Sequence, residues 1–141
     1  MKIDFDGDFE NLKIQTDLFR NFSYSPYSNF SVGAAVVATL KDKQKIVVYG
    51  TNVENASYGL TICAERAAFV ELIQYKPESI DLVVVAVSGA PASPCGACRQ
   101  FISEFTHECP VWLVGNGGKT VEISNLLTLL PKPFGPGSLK L

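Results

Sequence analysis

Three cysteines and one glutamate carry the chemistry this sequence can do. Cys95-Gly96-Ala97-Cys98 sets two thiols at C-x-x-C spacing, a pattern shared by zinc sites, redox motifs and chance. A third thiol stands in Cys63-Ala64-Glu65-Arg66, and both stretches open runs of helical character. Two helix starts can bring Cys63, Cys95 and Cys98 to one metal. Three thiolates on Zn²⁺ leave a tetrahedral position open, as in catalytic rather than closed structural sites. Water there becomes acidic enough to supply hydroxide near neutral pH, and a carboxylate beside it can carry protons. Glu65, two residues after Cys63, is that carboxylate.

Zinc with three thiolates carries a net negative charge, which would make its water less acidic. Arg66 and the positive ends of two helix dipoles can offset that charge by hydrogen bonding to sulfur. Cys109 is expected at a strand edge, outside the metal set. His107, the single histidine, reads as a surface loop residue, and the acidic start Asp4, Asp6, Asp8, Glu10 as a solvated terminus.

The elements that position these residues follow from periodicity. Phe9, Leu12, Phe19 and Phe22 predict an amphipathic first helix ending before Ser25-Pro26-Tyr27-Ser28. Val32 to Leu40 and Ile46 to Thr51 predict a hairpin around Lys41 to Lys45. Cys63 to Tyr75 reads as a helix stopped by Pro77, Asp81 to Val87 as a strand buried on both faces, and Cys95 to Phe105 as a second helix. Val111 to Val114 and Thr120 to Ile123 flank Gly115-Asn116-Gly117-Gly118. That link is too short for a parallel crossover, so the last two strands must pair antiparallel. A short helix over Ser124 to Leu130 precedes a proline-broken tail. The alternation predicts a layered α/β domain, and no repeat or composition shift divides residues 1–141.

Composition narrows the partners. The chain has 141 residues, a formal net charge of −2 and 47% hydrophobic residues; at this length about 70% of the unfolded surface can be buried. Its scattered Lys and Arg lack the basic stripe of a nucleic-acid binder. The apolar runs fall short of the roughly 20 residues that span a bilayer, so no membrane is expected. The start lacks the pattern of a secretory signal, which makes a cytoplasmic location with reduced thiols the expectation.

Beyond the metal motif, the chain resembles a known family along most of its length. Ser25-Pro26-Tyr27-Ser28-Asn29-Phe30-Ser31-Val32-Gly33-Ala34-Ala35, Asn52-Val53-Glu54-Asn55-Ala56-Ser57-Tyr58, Cys63-Ala64-Glu65-Arg66 and Pro94-Cys95-Gly96-Ala97-Cys98-Arg99-Gln100 resemble successive signatures of the homotetrameric zinc-dependent cytidine deaminases. Leu129-Leu130-Pro131 with Phe134-Gly135-Pro136 is similar to that family's C-terminal segment. The resemblance implies a three-layer α/β/α domain with a mixed five-stranded sheet. It implies hydrolytic deamination of cytidine and deoxycytidine in pyrimidine salvage, by a homotetramer with shared active sites and one Zn²⁺ per subunit on Cys63, Cys95 and Cys98. Glu65 would protonate ring nitrogen N3 and then the departing ammonia. Asn52 and Glu54 match positions that hold the ribose 3′-hydroxyl, Phe30 a pocket wall, and the Ala64 backbone a pyrimidine contact. Tyr58 and Phe134 match residues lent to a neighbouring subunit's site, and Arg66 the charge-offsetting position.

Three other readings compete. A polynucleotide deaminase would show basic surface and usually a helix between the last two strands. A structural zinc module would need neither Glu65 nor an open fourth ligand. Blasticidin-type deaminases share the metal site but not the sugar pattern at Asn52 and Glu54.

Overall fold

Valine-rich strands with both faces apolar demand cover on both sides, and the chain supplies helices on each. The computed structural model describes residues 2–139. In chain order these form β1 (Lys2–Asp4), α1 (Phe9–Phe19), β2 (Val32–Thr39), β3 (Lys45–Thr51), α2 (Ala64–Ile73), β4 (Ser79–Val87), α3 (Gly96–Ser103), β5 (Pro110–Gly115), β6 (Thr120–Asn125) and α4 (Leu126–Leu129). Single 3₁₀ turns lie at Arg20–Phe22, Tyr58–Leu60 and Pro136–Leu139.

The sheet has six strands in the order β1-β3-β2-β4-β5-β6, where five were expected. The added strand is β1, paired antiparallel to β3 with Lys2 opposite Val48 and Asp4 opposite Ile46. The acidic start is therefore not merely a solvated terminus. Asp8 caps α1, its Oδ1 accepting from Asn11 N at 2.9 Å, an arrangement that stabilises a helix by about 1 kcal/mol. The last two strands pair antiparallel as their short link requires.

Alternation along the strands divides the core between two faces. On one, Phe69 and Leu72 of α2, Ile102 of α3 and Leu126 of α4 pack on Val36, Val48, Val83 and Val111. On the other, Leu12 of α1 packs with Ala35, Val37, Val47 and Val84, giving three layers. Phe19 stacks on Tyr49 with ring centroids 4.6 Å apart, whereas Phe22 is 72% exposed, so the stripe read on the first helix is narrower than expected.

Topology sets the site. Because β2 pairs antiparallel to both β3 and β4, β3 and β4 run parallel, and β5 is parallel to β4. The helices α2 and α3 are thus crossovers, and both begin at the carboxyl end of the parallel strands, where open α/β sheets bind ligands. The approach of α2 is close: a Cβ on Gly50 of β3 would lie 2.5 Å from Ala64 O and 2.6 Å from Ala68 N. Only glycine there lets the start of α2 sit against the sheet.

Candidate active site

The residue at the start of each of these two crossover helices is a cysteine. Cys63 is the N-cap of α2 and Cys95 the N-cap of α3, where Cys95 Sγ accepts from Cys98 N at 3.4 Å. The sulfurs of Cys63, Cys95 and Cys98 all lie within 4.8 Å of one another, and Cys63 and Cys95 are 3.9 Å apart. Sulfurs about 2.3 Å from a tetrahedral zinc stand about 3.8 Å apart, so this spacing fits the ion.

The charges in the site fit it too. Hydrogen bonding with Cys98, partly opposed by burial and assisted by Arg66 and Cys95, brings the Cys63 thiol down to about 5. The same sharing pushes Cys98 up, with burial and the charges of Glu65 and Cys63 adding to it. Three thiols this close, ionised together, form a donor set whose negative charge a divalent cation would offset. Arg66 provides part of it, its Nη2 standing 3.7 Å from Cys63 Sγ and 3.1 Å from Thr61 O.

Glu65, in the first turn of α2, is 4% exposed. Burial pushes its carboxyl up, a backbone hydrogen bond partly opposes this, and the Cys63 charge adds to it. A carboxyl so placed can hold a proton nearer neutral pH than an exposed one. Cys63, Ala64, Glu65 and Cys95 form one wall of a cavity of about 200 Å³; Phe30, Val32, Val85, Val87, Ala92 and Ser93 form much of the rest.

A second, more open cavity adjoins the first through their shared residues Phe30, Asn52 and Thr61, and continues past Tyr27, Ser28, Glu54 and Tyr58. Both polar residues expected at a sugar are buried here. Asn52 Oδ1 accepts from Val32 N at 2.9 Å and Ser23 Oγ at 2.6 Å, while Nδ2 donates to Phe30 O at 2.8 Å. The second Nδ2 hydrogen is left to meet a ligand. The Glu54 carboxylate accepts from the hydroxyl and the N–H of Ser28.

The remaining expected residues lie further out. Tyr58 is 74% exposed and lines its own chain's outer cavity, its ring 5.7 Å from that of Tyr27. Phe134 is 61% exposed and is not among the residues lining either cavity. Its carbonyl accepts from Gln100 Nε2 at 2.7 Å and Leu129 O from Arg99 Nη1 at 2.9 Å, which ties the tail to the helix that begins at Cys95. Cys109 immediately precedes β5, fully buried in the core, and His107 is exposed. The sequence reading gave no role to Ser28, Thr61, Val85, Val87, Ala92 or Ser93. The end of β4 was legible in principle, because the carboxyl ends of parallel strands face the ligand.

Residues 13–113 match the family model described as the cytidine and deoxycytidylate deaminase zinc-binding region. The chain is 40% identical over 134 residues to a cytidine deaminase of Sporosarcina psychrophila, covering 94% of this chain and 95% of that protein. The chain belongs to the cytidine deaminase family. A cytidine deaminase of Mycobacterium tuberculosis shares 40% identity over 114 residues, 80% of this chain and 79% of that protein. Among solved structures, the cytidine deaminase of Burkholderia pseudomallei superposes with a TM-score of 0.76 at 36% identity, covering 88% of this chain and 98% of that one. Cys63, Cys95 and Cys98 fall within the matched zinc-binding region, which makes zinc the cofactor of this donor set.

Proposed function

We propose that this protein hydrolyses cytidine and deoxycytidine to uridine and deoxyuridine with release of ammonia, in pyrimidine salvage. The observation that carries the proposal is the buried Glu65 carboxyl standing in one cavity wall with Cys63 and Cys95. Cys63, Cys95 and Cys98 would hold zinc, which when bound would make water more acidic. Glu65 takes a proton from the attacking water and delivers it to ring nitrogen N3 as oxygen adds to C4. It then passes the hydroxyl proton to the amino group, which leaves as ammonia while the C4 carbonyl forms. Arg66 and the N-termini of α2 and α3 offset the thiolate charge. Val85, Val87 and Phe30 exclude solvent around the base, the Ala64 backbone contacts the pyrimidine, and Asn52 and Glu54 hold the sugar hydroxyl.

The assembly belongs to the same reading: a homotetramer in which Tyr58 and Phe134 complete a neighbour's site. Its support is the exposure of both aromatics, which costs free energy unless they dock, and docking over a base adds roughly 1 kcal/mol of stacking beyond burial. Four free cysteines favour a reducing, cytoplasmic setting. Among the described residues no helix is long and apolar enough to cross a membrane. The net charge of −2 and the four-residue link from β5 to β6 favour a free nucleoside over a polynucleotide. The test is stoichiometry. Zinc-loaded protein should convert cytidine to equal amounts of uridine and ammonia and leave free cytosine almost untouched; equal use of cytosine would refute the sugar's role.

A further inference from the structure

We propose that Ser28 is the positioning residue of the sugar site, orienting the Glu54 carboxylate and the Phe30 backbone with one hydroxyl. The inference rests on the reading of Glu54 as the group that holds the sugar's 3′-hydroxyl.

A serine hydroxyl has one hydrogen and two lone pairs. Ser28 Oγ lies 3.0 Å from Phe30 N, which can only donate, so one lone pair is taken. The hydrogen is then free for Glu54 Oε1, 2.6 Å away, a short charge-assisted bond. The Ser28 N–H straddles the same carboxylate, 3.2 Å from Oε1 and 3.3 Å from Oε2. Among the described residues, every donor hydrogen-bonded to the Glu54 carboxylate belongs to Ser28. Oε1 receives two donors and Oε2 one long one, so Oε2 keeps the acceptor capacity for a ligand hydroxyl. The same oxygen fixes the chain at Phe30, an aromatic shared by both cavities. Ser28 thereby sets the distance between the sugar-holding carboxylate and the wall of the base pocket.

The chain around Ser28 is itself secured. Glu54 N donates to Tyr24 O at 2.8 Å and Tyr24 N to Asn52 O at 3.1 Å, so the segment after β3 that carries Asn52 and Glu54 pairs with the chain at Tyr24 and holds the loop from outside. Removing the hydroxyl should leave this backbone pairing in place and loosen only the carboxylate and the Phe30 turn.

The experiment compares deoxycytidine with 2′,3′-dideoxycytidine, which differ only at the 3′-hydroxyl. In Ser28→Ala, KM for deoxycytidine should rise about tenfold, the effect of losing one hydrogen bond to a charged group. The dideoxy compound reads the loosened Phe30 turn alone, so its KM, and kcat on either substrate, should change by clearly less than the deoxycytidine KM does. Ser28→Thr, which keeps the hydroxyl, should restore the deoxycytidine KM. Equal losses on both substrates, or no loss on either, would overturn the role of Ser28. Ser28→Gly, read in parallel, gives the same comparison should the alanine variant fold poorly. Glu54→Ala separates the inference from its premise. If Glu54→Ala still prefers deoxycytidine over the dideoxy compound, the sugar reading fails and this inference with it. If that preference is lost in Glu54→Ala but kept in Ser28→Ala, Ser28 alone is wrong.

Discussion

Arg66 Nη2 stands 3.7 Å from Cys63 Sγ, one helical turn away at the start of α2. The guanidinium is divided between that sulfur and Thr61 O, and the Cys63 contact raises the Arg66 pKa further. The role proposed for Arg66 is that a permanent positive charge at one of three thiolates would make the donor set less negative and keep a zinc-bound water acidic.

Arg66→Gln removes that charge but keeps a donor. The acid limb of the kcat profile should move to higher pH, with kcat down about tenfold at neutral pH, within the range for groups that support metal ligands. A pH–rate profile that superposes on the unmutated one would reduce Arg66 to a structural role.

The cysteines divide by environment. Burial pushes the Cys109 thiol up to about 12, the Asp81 charge adding and a backbone hydrogen bond at Val83 partly opposing. A thiol held protonated in the core is a poor ligand and a poor nucleophile. Elemental analysis of Cys109→Ala should therefore find one zinc per chain, with a stability loss of about 1 kcal/mol, while Cys63→Ala should bind zinc far more weakly. The reverse pattern would overturn the ligand assignment.

Away from the site, Asp81 occupies the irregularity in the β2–β4 ladder, where the register passes from Val37 opposite Leu82 to Ala38 opposite Ile80. Burial raises its pKa, but hydrogen bonds from Lys45, Thr39 and Ser79 and the Lys45 charge outweigh it, so the net shift is downward. A carboxylate depressed in the fold stabilises above its ordinary value near 3.9 and loses that contribution as pH falls through the lower, folded value. Asp81→Asn should cost about 1 kcal/mol at pH 7, modest because Lys45 is half exposed to screening solvent. In thermal melts this is about 4 °C. The gap should narrow below about pH 4; a gap independent of pH would show that packing, not charge, is responsible.

The proposed sharing of active sites between subunits makes a separate prediction. Glu65→Ala subunits and Phe134→Ala subunits, mixed after mild dissociation and allowed to reassemble, should regain activity in the fraction of tetramers that join an intact Glu65 to a neighbour's intact Phe134. A fully active monomer by light scattering, or no recovery despite proven exchange, would refute the sharing.

How much of this was legible in the sequence depended on the range of the interactions. The elements α2, β4 and α3 announce themselves through apolar runs bounded by Pro77 and Pro94, and the β5–β6 pairing through a turn too short for a crossover. β1 was invisible because all three of its residues are exposed. Its pairing with Val48, Val47 and Ile46 is a contact more than forty residues away, and the short alternation of Ile3 and Phe5 with Asp4 and Asp6 is too brief to announce it. Cys63, Cys95, Cys98 and Glu65 stood out by type and spacing. Ser28 did not, since a serine after Pro26-Tyr27 reads as turn chemistry until Glu54 is placed against it.

The central claim is that Glu65 carries the protons, and steady-state turnover of zinc-loaded Glu65→Ala on cytidine tests it most directly. With metal content and melting behaviour verified, kcat should fall by about 10²- to 10⁴-fold, the contribution of a positioned general acid–base group. Near-normal turnover in a folded, zinc-replete Glu65→Ala protein would contradict the account.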